Sequence, residues 1–245
     1  LPVVMPRASG DPKGRPLTIM KILAIETSTK NFSLAVSDGT KILRHRNIKL
    51  NRVLSSSIIP AIDHILEKSH VSMPRLAGFA VGLGPGSFTS LRVGLATVKA
   101  LAFAGSKPVV GISSLDAIAQ GLPQSTIENI CVICDARRNL VYAAFYRKKR
   151  QRLVRKGKYL LTGIRDVLKY ITTPTLLAGN AVGLFHSEIV THKGSTIVLT
   201  EKKFWYPKAA HILQLAYPKF LKKEYNDIDV LVPVYLYPKD CQVVR

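Results

Sequence analysis

Two carboxylates occupy matched places in this chain. Glu26 follows the apolar run Ile22-Leu23-Ala24-Ile25, and Asp135 follows Ile130-Cys131-Val132-Ile133-Cys134. After each comes a short polar turn, Thr29-Lys30-Asn31 or Arg138-Asn139. A second strand-like run follows, at 32–36 or 140–146. An acid just past a buried strand, at the bend into a hairpin, is placed to coordinate a metal-bound phosphate or to take a proton in phosphoryl transfer. Between the two lies Gly82-Leu83-Gly84-Pro85-Gly86-Ser87-Phe88-Thr89, joining a strand to a helix. Gly84 and Gly86 allow positive φ and close approach, and a helix start at Ser87 offers free amides to an anion. A tight strand-to-helix turn accounts for the same residues equally well. The loop lacks the Lys-Ser/Thr pair of a P-loop, Pro85 spoils the dinucleotide fingerprint, and there is no Gly-x-Ser-x-Gly nucleophile elbow.

Other chemistries find less support. The six histidines (45, 64, 70, 186, 192 and 211) include no pair separated by three residues, so a helical two-histidine metal site is not expected. Cys131 and Cys134 form C-x-x-C inside a strand-like run, where residues three apart point to opposite faces; buried, inert thiols are expected. Spacing alone assembles no Ser/His/Asp set, so no catalytic residue is assigned.

The elements that must position these residues follow from periodicity. Strands are expected at 22–25, 32–36 and 41–46, then a helix at 53–68 with Leu54, Ile58, Ala61, Ile62 and Ile65 on one stripe. Pro60 should bend that helix or delay its start to about Ser57. A strand at 76–81, a helix at 88–104 and a strand at 108–112 complete a βββαβαβ half. The second half repeats the order loosely, with strands at 130–133 and 140–146, a basic strand, a short helix at 164–170, a strand at 175–178 and a helix at 207–221. Two related α/β halves facing one cleft are expected. On the helix at 88–104, Ser90, Gly94, Thr97 and Ala104 put small side chains beside Leu91, Val98 and Leu101, while Leu95, Ala96 and Phe103 lie off that stripe. Burial within the chain and contact with a partner subunit both fit this pattern.

Composition bounds the partners. The 245 residues carry 36 Lys and Arg against 15 Asp and Glu, a net charge of +21. Such a surface attracts polyanions, nucleic acid first among them, although an environment favouring basic proteins gives the same number. Eight cations and no acid fall within 147–158, either as a solvated hairpin edge or as a phosphate contact through Lys148, Lys149 and Arg150. Residues 1–19, with four prolines, read as an upstream extension without fixed structure, with Met20 as the expected start. No uncharged apolar stretch is long enough to span a membrane, and three cysteines suit a cytoplasmic location.

Five segments together carry a family resemblance: Met20-Lys21-Ile22-Leu23-Ala24-Ile25-Glu26-Thr27-Ser28; Gly84-Pro85-Gly86-Ser87-Phe88-Thr89-Ser90-Leu91-Arg92-Val93-Gly94; Pro108-Val109-Val110-Gly111-Ile112-Ser113-Ser114-Leu115; Cys134-Asp135-Ala136-Arg137 leading to Val141-Tyr142; and Pro233-Val234-Tyr235-Leu236. The chain resembles the TsaB (YeaZ) family, the dimerisation subunit of the bacterial tRNA threonylcarbamoyladenosine (t6A) complex, in the Gcp-like, M22-like branch of the actin/Hsp70-like ATPase fold. Glu26 stands where that family more often has Asp.

The resemblance implies an α/β, actin/Hsp70-like (ASKHA) fold of duplicated βββαβα lobes, the first at 20–112 and a less regular second at 113–245. It implies a non-catalytic scaffold in the complex that transfers a threonylcarbamoyl group to adenosine 37 of tRNAs reading ANN codons. The partners would be a TsaD-type catalytic paralogue and a TsaE-type small ATPase, with tRNA met through the complex; the chain alone would be either a homodimer or a monomer. The two first-lobe helices would build the interface, through Leu54, Ile58, Ile62, Ile65, Leu91, Gly94, Leu95, Thr97 and Val98. Gly94→Arg should then abolish pairing while leaving the monomer folded. Glu26, Gly84, Gly86, Ser87 and Asp135 would mark a vestigial nucleotide or anion site. No cofactor is required by the chain itself; ATP or ADP is expected at the subunit junction and the metal on the partner. The competing readings are a stand-alone ATPase or sugar kinase of this fold, which would need glycine-rich phosphate hairpins after both acids, and an M22-type metalloprotease, which would need histidine ligands.

Overall fold

A computed structural model describes residues 19–49, 53–149, 152–192 and 196–237. The first half runs β1 (Lys21–Glu26), β2 (Asn31–Asp38), β3 (Lys41–Lys49), α1 (Leu54–Lys68), β4 (Gly78–Gly82), α2 (Phe88–Gly105), β5 (Val109–Ile112) and α3 (Ser114–Gln120). The second runs β6 (Asn129–Arg137), β7 (Leu140–Lys149), β8 (Arg152–Gly163), α4 (Ile164–Lys169), β9 (Thr175–Ala178), α5 (Ala181–Leu184), α6 (His186–Thr191), β10 (Ile197–Leu199) and α7 (Ala209–Leu221). Strand order is β3-β2-β1-β4-β5 in one sheet and β8-β7-β6-β9-β10 in the other. In both, the first three strands are antiparallel and the last two join in parallel. This is the duplicated actin/Hsp70-like arrangement. The two copies differ in their helices, since α4, α5 and α6 are single short turns where the first copy has α1 and α2.

Alternation along each strand builds the layers. Leu23 and Ile25 of β1, with Phe79 and Val81 of β4, face α1 and α2. Ile22, Ala24 and Ala80 face the other way, onto Ile212, Leu213, Ala216 and Phe220 of α7. In the second sheet, Ile130, Val132 and Ala144 meet Leu115 and Ile118 of α3, while Cys131, Ile133 and Ala143 meet α4, α5 and α6. Cys131 and Cys134 thus point to opposite faces, and burial pushes both thiols up. The terminal helices exchange lobes: α3 leaves the first sheet to cover the second, and α7 leaves the second to cover the first.

That exchange changes the expected division of the chain at 112/113. α7 and residues 222–235 belong with the first lobe, whereas Leu236 and Tyr237 pack into the second, where the Tyr237 hydroxyl donates to Ala136 O at 2.6 Å. Asn226 accepts from the Gly111 N–H at 2.8 Å and donates its own N–H to Val109 O at 2.9 Å. Val234 N–H donates to Leu83 O, and Leu231 is buried in the α1–α2 core. Residues 222–235 therefore strap the first lobe from outside.

Local details also depart from the periodicity. β3 continues to Lys49 rather than stopping at 46. α1 begins at Leu54 and continues past Pro60, whose ring lies on the exposed side. α3 has only seven residues and escapes pattern reading; Ser113 Oγ caps it by accepting from Leu115 N–H at 3.2 Å. Residues 1–18, Leu50 to Arg52 and Arg150 lie outside the described residues.

Candidate functional site

Glu26 ends β1 with its carboxylate folded back into the lobe, 1% exposed. Oε1 accepts from Ser28 N–H at 2.6 Å, and Oε2 accepts from Ser114 Oγ at 2.7 Å. Burial raises its pKa above the ordinary carboxylate value, against the opposing pull of the Ser28 and Ser114 hydrogen bonds. The glycine loop lies over this acid. Gly84 N–H donates to Ser114 Oγ at 3.1 Å, and Gly84 O accepts from Ser114 N–H at 2.8 Å and Ser113 Oγ at 3.2 Å. Ser87 N–H donates to Ser28 O at 2.8 Å. A Cβ on Gly82 would strike the Glu26 carboxylate, and one on Gly86 the Ser28 carbonyl.

Two amides of the loop, those of Gly84 and Ser87, donate to the chain's own oxygens, and the group beneath them is the Glu26 carboxyl. Those two amides are not open to a phosphate. Ser87 is exposed, donates its hydroxyl to Ser90 Oγ at 3.0 Å, and does not cap α2. Asp135 is half-buried in the matching position. Its Oδ1 accepts from Arg137 N–H at 2.8 Å and its N–H donates to Asn180 Oδ1 at 3.0 Å. Cys134 is pushed up to about 12, chiefly by burial and further by the Glu26 and Asp135 carboxyls. Among the described residues, no three His, Cys, Asp or Glu side chains gather into a metal-binding group.

The residues assigned to a partner interface do not form an exposed face. Leu54, Ile58, Ile62, Ile65, Leu91, Gly94, Leu95 and Val98 are all buried within the lobe, and Thr97 is half-buried with its hydroxyl on Val93 O at 2.9 Å. They form the stripe that α1 and α2 turn toward their own sheet. A Cβ on Gly94 would strike the Thr27 hydroxyl, so Gly94→Arg breaks the fold rather than an interface. The exposed side of α2 carries Phe88, Arg92, Ala96, Ala100 and Phe103. Phe103 is 79% exposed. Arg92 lies 3.8 Å over the Phe88 ring and donates Nε–H to Tyr235 Oη at 3.1 Å, which joins the strap to this face. Beside it an open groove of about 870 Å³ is lined by Phe103, Lys107, Tyr225 and Asn226 among others.

The basic run is divided. Lys148 Nζ turns inward and donates to Gln120 O at 3.3 Å and Leu122 O at 2.8 Å, closing the C-terminal end of α3. Its assignment to RNA is therefore corrected to a structural one, and burial lowers its pKa. Lys149 is exposed.

A family model described as "TsaD: tRNA N6-adenosine threonylcarbamoyltransferase" matches residues 49–240. The tRNA threonylcarbamoyladenosine biosynthesis protein TsaB of Haemophilus influenzae is 30% identical over 224 residues, 89% of this chain and 93% of that protein. The TsaB of Bacillus subtilis is 30% identical over 228 residues, 89% and 94% of the two chains. The chain belongs to the TsaB family, within the TsaD-type domain family. The structure of YeaZ from Pseudomonas aeruginosa superposes with a TM-score of 0.76 over 89% of this chain and 100% of that one, a likeness of fold at 24% identity.

Pattern reading of this TsaB-family chain found Glu26 and the glycine loop but missed what ties them together. Ser114 lies 88 residues from Glu26 in sequence, and no periodicity links the two. Thr27 was given no role, although its Oγ1 is buried beneath Gly94 with no hydrogen-bond partner among the described residues. The exposed α2 face had a partial signal, since Ala96 and Phe103 fall off the apolar stripe of the helix.

Proposed function

We propose that this TsaB-family chain is a subunit of the assembly that makes threonylcarbamoyladenosine in tRNA, and that it serves there by docking. Its partner in this reading is a TsaD-type paralogue that holds the metal and performs the transfer to adenosine 37, with a TsaE-type ATPase completing the set. Any ATP or ADP is assigned to the subunit junction. One observation carries the reading: the first-lobe acid is sealed under its own glycine loop, while the helix beside that loop exposes an apolar patch of Ala96, Ala100 and Phe103 among the described residues. Burying such a face at roughly 25 cal/mol per Å² gives a large gross gain, reduced by the cost of association.

The test is co-purification with the TsaD-type subunit and measurement of modified adenosine in tRNA. Phe103→Asp and Ala96→Arg should abolish pairing and modification while the chain keeps its melting temperature, because both side chains are exposed. Retained pairing would overturn the docking face. Modification of adenosine by the purified chain alone would overturn the division of labour.

A further inference from the structure

The hairpin of β7 and β8 has two faces of different character. Its inner face is pinned to α3. Tyr146 and Tyr159 both donate their hydroxyls to Asp116, at 2.8 and 2.9 Å, and Lys148 closes the end of the helix. Leu153 packs into the same core. Alternation then assigns Phe145, Arg147, Lys149, Arg152, Val154 and Lys156 to the outer face. The register agrees: Lys149 stands opposite Arg152, Arg147 opposite Val154 and Phe145 opposite Lys156. Glu128 is the acid of this face and is held by Arg147 at 2.8 Å. Lys156 Nζ donates to the neutral Asn129 at 3.3 Å. At the margin, Tyr170 is 68% exposed and packs edge-on against Phe145, ring centroids 6.0 Å apart. Lys169 beside it is taken by Asp166 at 2.9 Å.

This is a rigid plate of cations with an aromatic ring at its border. Same-face residues along a strand lie about 6.8 Å apart, and cross-strand neighbours about 5 Å apart. The charges therefore form a fixed array, which suits a polyanionic backbone. A lipid surface would call for an apolar face beneath the cations, and Val154 alone supplies little. An exposed tyrosine beside backbone-binding cations is the arrangement on which an unpaired base stacks.

We propose that the outer face of the β7–β8 hairpin, with Tyr170, is an RNA contact surface that takes the phosphate backbone on Lys149, Arg152 and Lys156 and an unstacked base on Tyr170. The proposal deepens the reading of the chain as part of a tRNA-modifying assembly and rests on it for the identity of the RNA.

The test uses the full chain with unmodified tRNA transcript and with labelled oligouridine, from 50 to 200 mM KCl. Charge reversal at Lys149, Arg152 and Lys156 together should lower the slope of log affinity against log salt by about 2. The same reversal at Arg44, Arg46 and Lys49 of β3 matches the change in net charge and should leave the slope intact, as should Lys148→Met. Tyr170→Ala should weaken oligouridine binding about tenfold at unchanged slope, and Tyr170→Phe should restore it. Thermal melting checks that each variant is folded.

Equal slopes for the hairpin and β3 variants would mean net charge alone and overturn the proposal. So would an unchanged slope in the hairpin variant, or loss of binding to phosphatidylserine vesicles with RNA binding intact. Full binding by Tyr170→Ala would overturn the stacking contact. Pairing with the TsaD-type subunit is read on the same proteins. Wild-type chain that bound RNA through this face but failed to pair would count against the proposed function and leave the surface standing.

Discussion

Ser114→Ala is the sharpest perturbation of the sealed acid. Two hydrogen bonds meet at Ser114 Oγ: it donates to Glu26 Oε2 at 2.7 Å and accepts from Gly84 N–H at 3.1 Å. Alanine leaves a buried carboxylate with one donor fewer and a loop amide without its acceptor. A buried hydrogen bond contributes about 0.5–1.5 kcal/mol net, and an orphaned buried donor costs about 1–3 kcal/mol more. The expected cost is about 2–4 kcal/mol at neutral pH, a fall in melting temperature on the order of 10 °C for a chain of this size. Glu26→Gln removes the carboxyl that Ser114 holds, so Ser114→Ala should cost about half as much in that background, a coupling that a double-mutant cycle reads directly.

The pH dependence gives an independent check. Burial raises the folded pKa of Glu26 above its ordinary 4.5, so the folded state keeps a proton that the unfolded state has released. Stability from this group is complete below 4.5 and is lost as pH rises through the folded pKa. Glu26→Gln should therefore gain on the parent with rising pH in urea melts from pH 4 to 8. A difference that stays flat with pH, or a Ser114→Ala cost below about 0.5 kcal/mol, would refute the keystone role of this acid.

Two further outcomes follow from buried groups. His211 on α7 is pushed down to about 4, first by burial and then by the Lys208, Lys148 and His45 charges, against a hydrogen bond to the Ala117 carbonyl that raises it; its Nδ1 has no partner among the described residues. Its folded pKa is depressed, so its contribution is present above 6.5 and lost as pH falls toward 4, by about 3 kcal/mol over that window. His211→Leu should flatten the stability profile there, and an unchanged acid limb in guanidinium titrations would count against it. Gly94→Ala should cost about 1–3 kcal/mol by driving a methyl into Thr27, read as a lower urea midpoint at constant slope; a neutral result would show that α2 can shift away from the β1–β2 turn.

Family membership, the strand runs and the paired acids were all visible in the order of residues, because each depends on neighbours a few positions apart. Alternation in Ile22-Leu23-Ala24-Ile25 marks a strand covered on both faces wherever it ends up. The same reasoning placed Cys131 and Cys134 on opposite sides. It did not say which of two apolar partners a helical stripe would meet. Leu54, Ile58, Leu91 and Val98 look alike whether they face the chain's own sheet or another subunit, since burial has no direction until the layers are assembled. The glycine loop was likewise legible as a loop and not as a lid, because its contact with Ser114 spans residues far apart in sequence.

Local chemistry thus determined the elements, the duplication and the charge of this protein. Tertiary packing decided what each residue does with them. It exchanged α3 and α7 between lobes, turned Lys148 inward and left Lys149 outside, and sealed Glu26 beneath its own loop. Periodicity is a property of a few adjacent residues, whereas facing, closure and solvent exposure arise only when distant segments exclude water from one another.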